Sequence, residues 1–421
     1  MAENGKNTGD RPAPAPSGES GWDAAVKPKD PAPNTSAPNT SDKKTKKQAA
    51  KKKSIFAPAA AIISAAAALI VVLYALLLYS HIPFFSFCRT IWIETAMTTL
   101  SHHWLATAFF PENVINEVMS NQVVNDGTIG GEEALEDDTA KYEIEGDVLG
   151  LTYLSPGDTD YAGNRIEIVD YEQGLMVSEI VGDGFKGKIM LVDDPSRVYL
   201  AVTPYKGTLG LRILEFLDAE GAVAGINASG FNDPGGNGSG GILDSLCCSG
   251  GEYWGSYVYG YTSIVLTESD RLVVGDIRDW SQYSIRDGMQ FGPVLIADGE
   301  VKVSGSAGYG LQPRTAIGQR EDGVIALLVI DGRDITHSVG CTVGSVAEIL
   351  AEYNVVNAAC CDGGASTVLA YEGKVLNKNC SANPAYGRML PNAFLVKRKT
   401  PEEQYRVPDG ENRSADTGTE E

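Results

Sequence analysis

Residues 355–371 read VVNAACCDGGASTVLAY. An apolar run of strand length, Val355–Cys360, meets Asp362-Gly363-Gly364, and a second strand-like run, Thr367–Tyr371, follows. The same pattern of short apolar segments punctuated by Gly and Asp extends outward in both directions. It predicts strands at Lys188–Val192, Val198–Val202, Ala222–Asn227, Ser263–Thr267, Gln290–Ile296, Thr315–Gln319, Val324–Ile330 and Asn392–Val396. Asp322-Gly323 and Glu372-Gly373 have the composition of hairpin turns between successive strands. Two helices interrupt the strands. Leu209, Ile213, Phe216 and Leu217 share one helical face; Val343, Val346, Ala347 and Leu350 share another, with Thr342 placed to cap it. The expected fold is therefore of the α/β (mixed α+β) class: a single mixed-sheet domain with few helices, over residues 176–398.

The chain has 421 residues and a formal net charge of −21, unevenly distributed. Residues 1–53 carry 11 basic and 6 acidic side chains, leaving 23 basic against 49 acidic in the remainder. Residues 1–42 are rich in Pro, Ala, Ser, Asn and Thr and nearly free of aliphatic residues, a composition that cannot offset its conformational entropy; 1–53 is expected to be a disordered basic tail. Lysines at 43, 44, 46, 47 and 51–53 precede an uncharged stretch, 54–80, whose core Ala59–Tyr79 is long enough for a transmembrane helix. By the positive-inside tendency, the tail is cytoplasmic and everything after residue 81 extracytoplasmic, giving a single-pass protein of the cell membrane. Residues 81–125 hold Phe84, Phe85, Phe87, Trp92, Trp104, Phe109 and Phe110, and are expected to form juxtamembrane helices on the membrane surface or the domain. An acidic linker and domain lead-in, 126–175, and a C-terminal tail, 399–421, complete the organisation.

The acidic outer part argues against a nucleic-acid partner, since phosphate-backbone binding needs clustered Lys and Arg. His81, His102, His103 and His337 are the only histidines, and only the last falls in the domain. A histidine-rich dinuclear metal site is thereby disfavoured, and no metal or other cofactor is expected. The doublets Cys247-Cys248 and Cys360-Cys361, with Cys341 and Cys380, lack the C-x-x-C spacing of zinc sites; two or three disulfides are expected in an oxidising compartment. Of two G-x-G-x-x-G matches, 182–187 and 236–241, neither follows a strand and opens a helix in a βαβ unit, so they carry no dinucleotide signal.

Polar residues recur at strand ends beside glycines or other small residues: Asn227 and Ser229, Arg314, Asp331 and Arg333, Asp362 with Ser366 and Thr367, and Arg388 with Asn392. Together they offer carboxylates, guanidiniums and amides, a set suited to an anionic sugar ligand.

These segments also resemble a known family. FKGK at 185–188, DPSRV at 194–198, NASGF at 227–231, PRTAIG at 313–318, DGR at 331–333, CDGGAST at 361–367 and PNAFLV at 391–396 follow the order of motifs in the phosphodiester glycosidase family. The similarity is to its bacterial membrane-anchored branch and covers roughly 176–398. The chain differs in having Ala228-Ser229 where the family has a single glycine after the asparagine, and Ala365-Ser366-Thr367 where it has Gly-Ser-Ser. The resemblance implies hydrolysis of the C1–O bond of a sugar-1-phosphodiester, for example in a phosphorylated cell-wall or exopolysaccharide glycopolymer. Catalytic roles fall on Asp362 as base or nucleophile, Asp331 as the residue orienting Arg333 or the sugar, and Arg314 as a phosphate ligand together with Arg388. Asn227, Ser229, Arg333, Ser366, Thr367, Arg388 and Asn392 are expected to bind substrate. The competing expectations are a non-catalytic glycopolymer-binding or scaffolding module of the same fold, and a divalent-cation phosphodiesterase using Asp233, Asp331 and Asp362. Self-association through residues 84–125 is open.

Overall fold

The computed structural model describes residues 42–99, 102–120, 142 and 146–404. The first 41 residues, most of the acidic linker and the end of the C-terminal tail lie outside the described residues. The chain divides between Ile70 and Val71 into two units. A helix, Asp42–Tyr79, runs through that division, so the lysine run belongs to the same helix as the apolar span. Its segment Ala59–Tyr79, 21 residues, is long and apolar enough to cross a membrane.

Within the second unit, three short helices, Pro83–Met97, Trp104–Thr107 and Glu112–Met119, form a small core from Ile93, Ala96, Ala106, Phe110, Ile115 and Val118. The aromatic residues that stand out in the sequence are thus partly internal: the Trp92 ring meets Phe110 edge-on at 5.6 Å.

The remainder is built on three sheets, confirming the mixed α+β expectation. The largest has eight strands, in spatial order Ile166–Asp170, Leu175–Gly182, Phe185–Val192, Ile325–Ile330, Arg314–Arg320, Val355–Cys361, Val294–Ala297 and Glu300–Val301. A second, of five, comprises Glu252–Gly255, Leu246–Ser249, Ile285–Phe291, Thr262–Thr267 and Leu272–Gly275. The third comprises Lys374–Val375, Leu369–Tyr371, Ala222–Asn227, Asn392–Lys397 and Val198–Val202. Val177, Leu200, Ile264 and Phe394, drawn from all three, meet in one central core. Helix Val343–Glu352 covers the other face of the large sheet with Val346 and Leu350, after Thr342 accepts the Ser345 N–H as its N-cap. Helix Ile213–Glu220 covers the third sheet with Ile213, Phe216 and Leu217 and ends on Gly221 in the left-handed region.

Three departures from expectation have physical causes. The apolar run 290–296 is two strands in different sheets, because Pro293 has no N–H to continue a ladder and the chain changes sheet at Gly292-Pro293. Ile166–Asp170, part of the expected lead-in, is the edge strand of the large sheet; its charged, half-buried residues hide the alternation. The cysteines are all free thiols, so the expected disulfides are absent. Successive strand residues face opposite sides, so Cys361 joins the central core while Cys360 joins the helix-covered layer, and Cys247 and Cys248 are divided likewise.

Candidate active site

A pocket of about 570 Å³ opens where the ends of the Arg314–Arg320 and Val355–Cys361 strands meet the loops around Phe231, Asp244 and Arg388. These two strands pair antiparallel, with Thr315 opposite Cys361, which brings Arg314 and Asp362 to the same end of the sheet. Of the residues singled out in the sequence, Asp233, Asp362, Arg314, Arg333, Ser366 and Arg388 line the pocket.

Asp362 is half-buried, and its N–H donates to Ala228 O at 2.8 Å. Burial pushes its carboxyl up to about 7, helped by the charge of Asp244; the Ser366 hydroxyl, the Arg388 charge and the Gly363 N–H pull the other way without cancelling it. Asp244 also lines the pocket, and its carboxyl too is raised by burial. It fits there because Gly230 has no side chain: a Cβ at that position would lie 2.7 Å from Asp244 Oδ2. The rings of Tyr261 and Phe291, edge-to-face at 6.1 Å, form an aromatic wall.

The three arginines are held differently. Arg388 makes a two-pronged bond to Asp233, both contacts 2.6 Å, and stacks at 4.8 Å over the Phe231 ring. Burial alone would raise the Asp233 carboxyl, yet the Arg388 fork and the Gly238 N–H hold it below its usual range. Arg314 is buried and donates to the carbonyls of Tyr309, Gly310 and Cys341 at 3.0, 2.8 and 3.3 Å. Arg333, exposed and with a positive φ of 61°, donates to Gln312 Oε1 at 2.9 Å and arches over Gly364.

The other expected ligands lie outside the pocket lining. Asn227 is fully buried: its amide donates to Asp362 O at 2.6 Å and accepts from Thr315 Oγ1 and Val368 N at 2.8 and 3.0 Å. Ser229 and Asn392 clasp each other, Ser229 N donating to Asn392 Oδ1 and Asn392 Nδ2 to Ser229 Oγ, each at 2.9 Å. Thr367 is buried beneath the motif. Asp331 is not brought to Asp362 as a pocket wall; its carboxylate meets His337 Nε2 at 2.8 Å and accepts from Asn377 Nδ2 at 3.0 Å. Among the described residues, no group of three His, Cys, Asp or Glu side chains is placed to hold a metal ion. Asp233 and Asp331 are each committed to the partners just named.

Sequence reading missed Asp244, which stands between Leu243 and Ser245 without a flanking glycine. It also missed the rim supplied by Thr98 and Thr99 at the end of helix Pro83–Met97. That helix is sewn to the domain: Leu311 N donates to Thr95 Oγ1 at 3.0 Å, and Gln312 Nε2 to Thr95 O at 2.9 Å and Thr98 Oγ1 at 3.1 Å. Gly310 permits the approach, since a Cβ there would sit 2.5 Å from Thr95 N.

Residues 220–397, which supply most of the pocket, match the phosphodiester glycosidase family. The chain is also similar to the SPbeta prophage-derived uncharacterized protein YomE of Bacillus subtilis, 27% identical over 197 residues, 44% of this chain and 29% of that protein. The match thus spans less than a third of that relative's length. Among solved structures, the auto-inhibited catalytic domain of zebrafish N-acetylglucosamine-1-phosphodiester alpha-N-acetylglucosaminidase aligns with a TM-score of 0.43 at 18% identity, over 53% of this chain and 82% of that one. A hypothetical protein from Synechocystis aligns with a TM-score of 0.43 at 16% identity, over 55% and 64%.

Proposed function

We propose that this chain, matched to the phosphodiester glycosidases over residues 220–397, is a membrane-anchored hydrolase cleaving the C1–O bond of a sugar-1-phosphodiester. The observation that carries the reading is the convergence of two carboxylates with raised pKa, Asp362 and Asp244, and the Arg388 guanidinium in one aromatic-walled pocket. A carboxyl near 7 suits a base at neutral pH. Water gives a proton to Asp362 as its oxygen attacks C1; the C1–O bond breaks and its electron pair leaves with the phosphate as a monoester. Phosphate departs readily, so stabilising its charge and the cationic sugar matters more than protonating it. Arg388 and Arg333 face that charge, while Tyr261 and Phe291 offer rings to the sugar.

Asp331, bonded to His337 and Asn377, serves this reading as a brace for the loop carrying Arg333 rather than as a second reacting carboxylate. Asn227 positions Asp362 through its carbonyl. The apolar span Ala59–Tyr79 and the lysines before it support a pocket on the outer side of the cell membrane, where phosphorylated wall or exopolysaccharide polymers would be its substrates.

The commitment of Arg314 to three carbonyls and of Arg388 to Asp233 favours a second reading, a glycopolymer-binding module without turnover. Hydrolysis of a synthetic sugar-1-phosphodiester by the full chain, abolished in Asp362→Asn, is the expected result. Tight binding of a phosphorylated glycopolymer with no sugar released would instead establish the second reading.

A further inference from the structure

Beside the polar pocket lies a second cavity of about 610 Å³, walled by Phe87, Ile91 and Trp92 of helix Pro83–Met97 and by Leu311, Ile335 and Val339 of the domain. The two cavities share Thr99, Gln312 and Arg333, so a ligand filling the first continues into the second past the Arg333 guanidinium. Phe87 is 63% exposed and Ile335 92% exposed, an unusual place for large apolar side chains unless something apolar covers them.

We propose that this groove takes the hydrocarbon chain of a lipid phosphodiester, so that the substrate is a sugar-1-phosphate esterified to a lipid alcohol. This rests on the polar pocket being the sugar-phosphodiester site. The order of groups fits: a sugar against Asp362 and Asp244, the phosphate near Arg333 at the junction, the chain along Phe87, Trp92 and Ile335. An alkyl chain suits the groove better than a peptide, whose backbone donors and acceptors would need partners. The polar groups at its edge are already engaged: Thr95 with Leu311 and Gln312, Asp334 with Thr336 and Lys378. The wall helix also begins only four positions after the apolar span ends, so the groove is built from chain next to the membrane segment. Water would then release free sugar and leave a lipid monophosphate: the C1–O bond breaks, C1 gains the water oxygen, and the phosphate keeps the bridging oxygen.

The test compares kcat/KM of the full chain in lipid nanodiscs for the methyl and octyl esters of one sugar-1-phosphate. The octyl ester should be favoured about tenfold or more, as burial of even two methylenes would give. In the Phe87→Asp/Ile335→Asp variant, both changes at exposed positions, the octyl-to-methyl ratio should fall close to one. Equal rates for the two esters in the unmodified chain, the outcome if a polypeptide occupies the groove, would overturn the proposal while leaving the hydrolase reading intact. So would a preference that survives in the variant, because it would come from partitioning into the bilayer. Turnover of neither ester would remove the hydrolase reading on which the inference stands.

Discussion

The Asn227 side-chain amide donates to the backbone carbonyl of Asp362 at 2.6 Å, joining the end of one sheet to the pocket carboxylate at the end of another. Asn227 spends its remaining acceptor on Thr315 and Val368, so it is a bracket for Asp362. Replacing it by Ala should leave three buried groups unpaired and cost about 2–4 kcal/mol of stability, read as a lower denaturation midpoint. An unchanged midpoint would mean the bracket is dispensable.

Asp362→Asn should lower turnover by about three orders of magnitude or more without unfolding the chain. It should also change the pH dependence of stability. The folded carboxyl holds its proton up to about 7, whereas the unfolded one loses it near 4, so the wild-type chain loses stability as pH rises between those values. The variant escapes this loss. At pH 8 it should be more stable than wild type by on the order of 1–3 kcal/mol, and at pH 3 the two should coincide. Parallel stability curves would contradict the raised Asp362 carboxyl.

Asp244→Asn removes the like charge beside Asp362. The acidic limb of kcat/KM, which follows ionisation of the base, should move to lower pH, and the rate at its plateau should fall by about 10²–10⁴ if Asp244 handles a proton. A limb that stays in place would remove Asp244 from the site.

Much of the architecture was legible in local pattern. Val198–Val202 and Ala222–Asn227 begin and end where their apolar runs do, and Thr342 caps its helix as its hydroxyl predicts. The site was harder to read, because a polar residue at a strand end looks the same whether it faces a ligand or ties two sheets together. Ser229 and Asn392 do the latter, each satisfying the other inside the core. Asp244 has no local mark at all; its proximity to Asp362 arises from packing between segments more than a hundred positions apart. The Gln290–Ile296 run illustrates a third limit, since apolar periodicity cannot say which sheet a strand will join.

The Arg388–Asp233 fork predicts a division of effects. Asp233→Asn should lower stability by about 1–3 kcal/mol, as expected for loss of a charge-assisted pair, while loosening Arg388. Arg388→Ala should in addition raise KM for the phosphodiester. Equal KM in the two variants would show that Arg388 acts only on Asp233.

Thiol titration of the denatured, unreduced chain should find all seven cysteines reactive, and reductant should leave the melting temperature unchanged. Fewer reactive thiols would mean that bridges form.

The seam that Thr95 and Thr98 make with the stretch Tyr309–Gln312 bears on where the polypeptide can be shortened. Trimming to the large sheet, beginning near Ile166, would keep every strand yet strip a wall from the pocket and uncover Gly310 and Leu311. A fragment that retains the chain from Pro83 onward keeps that wall, and one that does not presents a different pocket from the parent.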